Sequence, residues 1–199
     1  MLQNTYPVNE IFQSVQGEGF NLGRPVIFIR LSGCNLRCSW CDTDHASHES
    51  MTVKNICECV EKLDCDSIII TGGEPCLYDL YNITTELKNN GYWIGLETNG
   101  TLPINGVFDY ISVSPKNDTE LCNFSVDEVR IAVNAETTIQ QVMSMVKQLT
   151  AKNYYLSPIE RDGNFNHLAA IKLIGELNKC QTIKPWRLSL QMHKLTGIK

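Results

Sequence analysis

Short apolar runs alternate with stretches of helical periodicity along most of this chain. Residues 26–31 are apolar except for Arg30, and residues 67–71 contain three consecutive isoleucines, which is typical of strands buried on both faces. Between them, residues 52–64 place apolar side chains at intervals of three and four, which predicts an amphipathic helix. The same pattern predicts an extended segment at 8–16, strands at 93–98, 110–114, 128–133, 154–159 and 186–191, and helices at 79–90, 136–149 and 168–177.

Strands that alternate with helices predict a parallel sheet with right-handed crossover connections. Residues 101–109 and 117–127 look too short and too broken for full crossover helices, which favours an open barrel over a closed one. We therefore predict an α/β fold, a partial parallel β/α barrel of about six core strands with a reduced set of helices. A single domain is expected over residues 1–199, with an extended N-terminal segment and a short C-terminal extension.

Unusual polar residues fall at the ends of the predicted strands. In a parallel barrel these ends share one face, which is where ligands bind. A charged residue inside a buried strand is costly without a partner, so Arg30 either meets an anionic ligand or reaches solvent from an edge strand. The set comprises Arg30, Thr71, Glu97, Ser114, Lys116 and His193.

The composition narrows the class of protein. The chain has 199 residues, 43% hydrophobic and 20% charged, which is ordinary for a soluble globular domain. Its net charge of −5 gives no sign of the excess of basic residues that is typical of direct nucleic-acid binding. The first residues lack a signal-peptide pattern and no apolar run reaches membrane-spanning length, so we expect a cytoplasmic protein with no membrane partner. Nine cysteines in such a chain favour metal chemistry over a disulfide framework.

Three of these cysteines form a tight group directly after the first apolar strand. Cys34, Cys38 and Cys41 have C-x3-C-x2-C spacing, and soft thiolates favour zinc, copper(I) or an iron–sulfur cluster. A [4Fe–4S] cluster normally has four cysteine ligands, so three would leave one iron open to a small molecule. The spacing resembles the signature of radical S-adenosylmethionine (SAM) enzymes. A Cys3His zinc site with His45 or His48, disulfides, and unrelated buried thiols remain alternatives. The other six cysteines are expected to be small hydrophobic or inert thiols: Cys57, Cys59, Cys65, Cys76, Cys122 and Cys180.

A second motif follows the isoleucine-rich strand. Residues 72–75 read Gly-Gly-Glu-Pro, which alone is only a turn signal, although glycines at a strand end leave backbone polar groups open to a ligand. About forty residues after the cysteines, it resembles the second hallmark of radical SAM enzymes, and the two motifs together are far more specific than either alone.

Nearly the whole chain resembles the 7-carboxy-7-deazaguanine synthase family of radical SAM enzymes. The discriminating features are Asp42-Thr43 after the third cysteine and Gln191-x-His193-Lys194 near the C-terminus, which a generic radical SAM protein need not have. The resemblance is found in residues 7–12, 16–19, 28–31, 34–43, 71–76, 114–116 and 186–194.

The resemblance implies a lyase with a [4Fe–4S] cluster, SAM and Mg²⁺ as cofactors. In that reaction a 5′-deoxyadenosyl radical takes a hydrogen from 6-carboxy-5,6,7,8-tetrahydropterin, and the ring contracts with loss of ammonia to give 7-carboxy-7-deazaguanine. The product belongs to 7-deazaguanine biosynthesis of the queuosine type. The implied partners are the small-molecule pterin, an electron donor such as a flavodoxin or ferredoxin, and a second copy of the chain in a homodimer.

The resemblance also implies roles for individual residues, with no catalytic side chain beyond the cofactor chemistry. Cys34, Cys38 and Cys41 would hold the cluster, Thr43 would ligate Mg²⁺, and Arg30 would pair with the pterin carboxylate. The implied SAM contacts are Trp40, Cys41, Asp42, Gly73, Ser114, Pro115, Lys116, Leu156, Ser157, Pro158 and Ile159. The implied pterin contacts are Val15, Gln16, Gly17, Arg30, Thr71 and His193.

Plainer interpretations exist for several of these residues. Thr43 could cap a helical turn, His193 could be a surface histidine, and Lys116 could be a solvated turn charge. Two other functions also compete. An activating enzyme that places a glycyl radical on a large partner would share both SAM motifs but need no pterin pocket, whereas a zinc-binding interaction module would share only the cysteines.

Overall fold

The computed structural model describes residues 4–41, 43–44, 46–116, 119–122, 124–161, 164–180 and 184–198. The chain is a mixed α/β protein with a mostly parallel, open sheet, which confirms the predicted fold class. It divides into two compact units. The first contains Met1–Gln16, Gly23–Thr98 and Leu102–Ile111, and the second contains Gly17–Leu22, Asn99–Thr101 and Ser112–Lys199. The single domain over 1–199 stays a prediction.

The first unit has a sheet with strand order β5-β4-β2-β1-β3. β2 pairs parallel with β4, and β4 pairs parallel with β5, whereas β1 runs antiparallel to both β2 and β3. Its elements are β1 (Thr5–Val15), β2 (Pro25–Leu31), β3 (Glu49–Thr52), α1 (Val53–Val60), β4 (Ser67–Gly72), α2 (Tyr81–Asn89), β5 (Trp93–Thr98) and the start of β6 (Tyr110–Val113), with a 3₁₀ turn at Pro75–Leu77.

The core of the first unit forms around the isoleucines of β4. Ile68 and Ile70 are fully buried and Ile69 is 2% exposed, as expected for a parallel strand covered on both faces. Helix α1 adds Ile56 and Val60 from its apolar stripe to this core. The predicted helix at 52–64 is wrong at its C-terminal end, since α1 stops at Val60.

The second unit also contains parallel strands. β7 lies between the last residues of β6 and the whole of β8, and β11 pairs with the outer edge of β8. Its further elements are β7 (Phe124–Val133), α3 (Ile139–Val146), β8 (Leu149–Pro158), β9 (Glu160–Arg161), β10 (Asn164–Phe165), α4 (His167–Lys179), β11 (Trp186–Leu188) and α5 (Met192–Thr196).

Pairing between β7 and β8 lengthens both strands beyond their predicted bounds. The pair runs in register from Phe124 opposite Leu149 to Val133 opposite Pro158. The strand predicted at 128–133 therefore starts earlier, at Phe124, and the described residues of 117–127 contain no helix, as predicted. The helix predicted at 136–149 is shorter, because the capping box of Thr138 starts α3 later and Leu149 already belongs to β8.

The C-terminal prediction is also corrected. The strand predicted at 186–191 ends at Leu188, and the helix α5 follows where a plain tail was expected. Among the helices of the described residues, none is long and apolar enough to span a membrane.

Candidate functional site

The two cofactor motifs of the sequence leave the same edge of the first unit's sheet. β2 and β4 are parallel neighbours, with Leu31 directly opposite Gly72, so their carboxyl ends lie side by side. The backbone N–H of Gly73 donates to the carbonyl of Leu31 at 3.0 Å, and the N–H of Glu74 donates to that of Gly33 at 2.8 Å. The cysteine loop and the Gly-Gly-Glu-Pro loop are therefore joined by backbone hydrogen bonds.

The three loop cysteines are free thiols with increasing access to solvent. Cys34 and Cys38 are half-buried, Cys41 is exposed, and the Cys41 N–H closes a turn onto the Cys38 carbonyl at 3.2 Å. Burial raises the pKa of the Cys34 thiol above its usual value. The Leu36 N–H opposes this by donating to the Cys34 sulfur, and the negative charges of nearby acidic groups, led by Glu74, add to it.

All nine cysteines are free, so the disulfide interpretation finds no pair in the structure. Among the described residues, no group of three or more Cys, His, Asp and Glu side chains is arranged to hold a metal ion. The roles of Cys34, Cys38 and Cys41 as cluster ligands therefore stay predictions, supported by their spacing and their placement. His45, one ligand of the zinc alternative, lies outside the described residues, and His48 is exposed.

Two glycines allow the chain to pack closely beside the first cysteine. A Cβ on Gly73 would collide with the carbonyl oxygen of Gly33 and would lie 3.0 Å from the Cβ of Cys34. Gly33 itself has φ +85°, and a Cβ there would approach the Tyr78 hydroxyl at 2.9 Å. A donor set of three free thiols next to a side-chain-free backbone fits a cluster with one open iron and a small ligand.

A buried carboxylate holds the second loop in place. Glu74 is fully buried, and its Oε1 accepts the Thr98 hydroxyl at 2.7 Å and the Cys76 backbone N–H at 2.9 Å. Thr98 ends β5, the parallel neighbour of β4. Gly73, a predicted SAM contact, therefore belongs to a loop that the Thr98–Glu74 hydrogen bond attaches to β5.

Arg30 has a protein partner that its neighbours along the chain do not reveal. In the antiparallel pair of β1 and β2 it lies opposite Glu10, and its Nε is 2.9 Å from Glu10 Oε1. In the parallel pair with β4 it lies opposite Thr71. Both side chains of the ion pair are partly exposed, at 21% for Arg30 and 29% for Glu10. The guanidinium is thus paired on one side while it retains access to solvent.

The Glu97 carboxylate accepts hydrogen bonds from two of the predicted pterin contacts. Its Oε2 accepts the Thr71 hydroxyl at 3.2 Å, and its Oε1 accepts the Gln16 side-chain amide at 3.0 Å. Val15, the last residue of β1, is half-buried next to Gln16 in the chain. Gln16 and Thr71 therefore meet on one carboxylate, as residues of a common polar surface would.

Three further predicted site residues lie next to Cys41 in the sequence: Trp40, Asp42 and Thr43. Trp40 and Thr43 are half-buried, and the Thr43 carbonyl lies 3.7 Å from the Cys41 thiol as its acceptor. Thr43 lies in an irregular segment, and both interpretations of it, as a Mg²⁺ ligand and as the cap of a helical turn, stay predictions. Asp42 lies outside the described residues.

In the second unit, Gly17 and His193 lie against each other. The Gly17 carbonyl accepts the Met192 N–H at 3.1 Å, and a Cβ on Gly17 would lie 3.0 Å from Nδ1 of His193. His193 is half-buried in α5, with its position fixed by this backbone contact. Two predicted pterin contacts 176 positions apart in the sequence thus become neighbours.

The remaining predicted SAM contacts of the second unit follow β6 and end β8. The Lys116 ammonium donates to the Ser114 hydroxyl at 2.8 Å across the buried Pro115. Ser157 donates its hydroxyl to Glu18 Oε2 at 3.1 Å. Leu156 and Pro158 are buried and Ile159 is half-buried.

Sequence reasoning missed a buried charged group in the second unit. Arg130 and Glu128 are 8% and 2% exposed in β7, and both contact the glycine turn that contains Glu18. The signal was present, because three charged residues, Asp127, Glu128 and Arg130, interrupt this strand, as Arg30 does in β2.

Comparisons with known proteins agree with this architecture. Residues 28–157 match the family model of the Radical SAM superfamily. Two proteins named 7-carboxy-7-deazaguanine synthase, from Haemophilus influenzae and Neisseria meningitidis serogroup B, are 41% and 40% identical over 97% of this chain and 94% of their own lengths. The crystal structure of QueE from Escherichia coli superposes with a TM-score of 0.76 at 28% identity, covering 95% of each chain.

Proposed function

This chain belongs to the 7-carboxy-7-deazaguanine synthase family of radical SAM enzymes, and on that premise we propose that it converts 6-carboxy-5,6,7,8-tetrahydropterin to 7-carboxy-7-deazaguanine with loss of ammonia. The observation that carries this reaction class is the junction of the two loops after β2 and β4. There, the three-cysteine loop and the Gly-Gly-Glu-Pro loop share backbone hydrogen bonds at one sheet edge.

We propose that Cys34, Cys38 and Cys41 hold a [4Fe–4S] cluster. With SAM bound at its open iron, this cofactor supplies the 5′-deoxyadenosyl radical that starts the reaction. Gly73 lets its loop lie against the cysteine loop beside Cys34, because any side chain there would collide with Gly33, and its backbone is the proposed contact for the methionyl end of SAM. The further proposed SAM contacts are Trp40, Cys41 and Asp42 in the first unit, and Ser114, Pro115, Lys116 and residues 156–159 in the second.

We propose that polar groups of each unit bind the pterin. In the first unit, Arg30 pairs with the carboxylate of the substrate through the guanidinium edge that Glu10 does not use. Thr71 and Gln16, both held by Glu97, offer hydrogen bonds to the pterin ring, and Val15 lies beside them. In the second unit, Gly17 and His193 are the proposed pterin contacts.

Three finer features also belong to the proposal. Thr43 would ligate Mg²⁺ through a neutral oxygen, with substrate oxygens and water as the other ligands, as is common for this ion. A flavodoxin or ferredoxin supplies the electron. The chain forms a homodimer, which light scattering on the purified protein measures directly.

One anaerobic reaction tests the proposed function. Cluster-reconstituted protein is mixed with dithionite, SAM, Mg²⁺ and 6-carboxytetrahydropterin, and the products are read by mass spectrometry beside a reaction without SAM. We expect a product lighter than the substrate by one ammonia, with many turnovers per SAM. Formation of 5′-deoxyadenosine with the pterin untouched would retain the radical SAM chemistry and reject this substrate. Bound zinc without iron would reject both.

A further inference from the structure

A guanidinium in the second unit lies between two carboxylates. Arg130 Nε is 3.3 Å from Glu18 Oε2, and Arg130 Nη1 is 3.4 Å from Glu128 Oε1. The side chains of Arg130 and Glu128 are only 10% and 2% exposed, and that of Glu18 is 16% exposed. In such a poorly hydrated place the positive charge of the guanidinium stabilises both carboxylates.

The first carboxylate connects the guanidinium to the C-terminal segment. Glu18 Oε2 also accepts the Ser157 hydroxyl at 3.1 Å, and Glu18 Oε1 accepts the Gln191 side-chain amide at 3.3 Å. Gln191 is the residue before α5, the helix that contains His193. Arg130 therefore fixes a carboxylate that in turn holds the entry to α5.

The second carboxylate holds the backbone of the glycine turn. Glu128 Oε2 accepts the Phe20 N–H at 2.8 Å, and Glu128 Oε1 accepts the Ser112 hydroxyl at 3.0 Å. A Cβ on Gly19 would collide with this carboxylate, so the turn lies directly on it. Strand β7 thus holds the turn in two ways: Arg130 pairs with the side chain of Glu18, and Glu128 accepts the backbone N–H of Phe20.

The same turn contacts the C-terminal segment directly. The Gly19 N–H donates to the Ser189 hydroxyl at 3.0 Å, and Met192 donates to the Gly17 carbonyl. A displacement of residues 17–20 would therefore move Gly17 and would also shift His193, because these hydrogen bonds connect the turn to the C-terminal segment.

We propose that Arg130 is a positioning residue for the pterin, acting through Glu18 and Glu128 on Gly17 and His193. It touches neither the pterin nor SAM in this role. The inference rests on the proposed function, which gives Gly17 and His193 to the substrate. A lysine keeps the positive charge but cannot place two N–H donors on two carboxylates in a fixed fork, so it replaces Arg130 only in part.

The test compares Arg130→Met and Arg130→Lys with Lys152→Met. Lys152 is an exposed residue of β8 that pairs at 2.6 Å with Asp127 of β7, so the control removes a cation from the same strand pair outside the buried group. Two quantities are measured for each protein: the Kd of 6-carboxytetrahydropterin by anaerobic equilibrium dialysis in the presence of SAM, and 5′-deoxyadenosine formation without pterin.

We expect Arg130→Met to raise the pterin Kd about tenfold to a hundredfold, the range typical for loss of a supporting contact. Arg130→Lys should give a smaller rise. In both variants pterin-free SAM cleavage should fall by a clearly smaller factor than pterin binding, although Glu18 also accepts the hydroxyl of Ser157, a proposed SAM contact. Lys152→Met should match the parent protein. If Arg130→Met does not fold, Arg130→Lys together with Glu128→Gln answers the same question.

The outcomes separate the inference from the function it rests on. If the parent protein neither binds nor converts the pterin, the proposed function fails. If the parent converts it and the Arg130 variants bind it equally well, the positioning role is wrong. Equal losses of pterin binding and pterin-free SAM cleavage would also reject it, because they would indicate a general structural role.

Discussion

The hydroxyl of Thr98 donates a 2.7 Å hydrogen bond to the buried carboxylate of Glu74. The bond joins the last residue of β5 to the loop after β4, and Glu74 is fully buried, so its oxygens cannot turn to water. The sequence identified Glu74 as part of a motif, whereas its partner became visible only in the fold.

Replacing Thr98 with Val keeps the shape of this side chain and removes the donor. We expect a loss of about 1–3 kcal/mol in the free energy of unfolding, because the buried carboxylate of Glu74 loses one of its hydrogen bonds. Urea denaturation measures the change. Thr150→Val, at an exposed position of β8, should change stability by no more than about 0.5 kcal/mol. Equal stabilities for the two variants would contradict the role of the Thr98 bond.

Adding a methyl group at Gly73 should disrupt the cofactor site. The new Cβ would collide with the Gly33 carbonyl beside Cys34, so the two loops cannot keep their hydrogen bonds. We expect Gly73→Ala to lose SAM binding and most bound iron, measured by equilibrium dialysis and iron analysis. Gly175→Ala is the matched control. It lies in α4 with nothing within 4 Å of the added Cβ, and it should stabilise the helix by about 0.5–1 kcal/mol.

Single alanine substitutions of Cys34, Cys38 and Cys41 should each abolish cluster binding, because two thiolates cannot replace three. Iron and sulfide content, together with the visible absorption of the reconstituted protein, measures the loss. Cys59→Ala and Cys180→Ala should retain the full iron content. A variant of the first group that keeps its cluster would remove that cysteine from the ligand set.

Arg30→Lys should weaken pterin binding while SAM cleavage without pterin persists. Lysine cannot form the bidentate pair with a carboxylate, and a charge-assisted hydrogen bond is worth about 1.5–3 kcal/mol, so KM should rise about tenfold or more. Steady-state kinetics with varied pterin measures this. Arg187→Lys, at an exposed position of β11, should leave KM unchanged. An unchanged KM in Arg30→Lys would assign the guanidinium to the Glu10 pair alone.

Stability should fall at high pH through two buried groups of the first unit. Burial raises the pKa of Cys57 from 9.0 to about 11 and that of Tyr6 from 10.0 to about 12. The folded state therefore binds these protons more tightly than the unfolded state. The stability they contribute is present below pH 9 and is lost between pH 9 and 11 for Cys57, and between pH 10 and 12 for Tyr6.

Urea denaturation across this pH range measures the loss. Cys57→Val should make the slope of stability against pH shallower than that of the parent protein between pH 9 and 11. An identical slope in Cys57→Val and the parent protein would show that this thiol does not titrate differently on unfolding.

The amino-acid sequence by itself determined the parallel strands and the two motifs that follow them. Buried parallel strands are continuous apolar runs, and the cysteine and glycine loops are short segments, so both are visible in local sequence. The predicted strand at 93–98 matches β5 at both ends. Elements that depend on a neighbour were less well predicted. β7 and β8 extend each other by pairing, and β3 forms only because β1 lies beside it.

Only the tertiary structure decided which partner each polar side chain contacts. Arg30 takes Glu10 because the antiparallel register of β1 and β2 places them opposite each other. Glu18 meets Ser157 at a separation of 139 positions, and no local pattern contains that information. A hydrogen bond depends on distance and direction in space, and those are fixed only after strand order and register bring distant parts of the chain together.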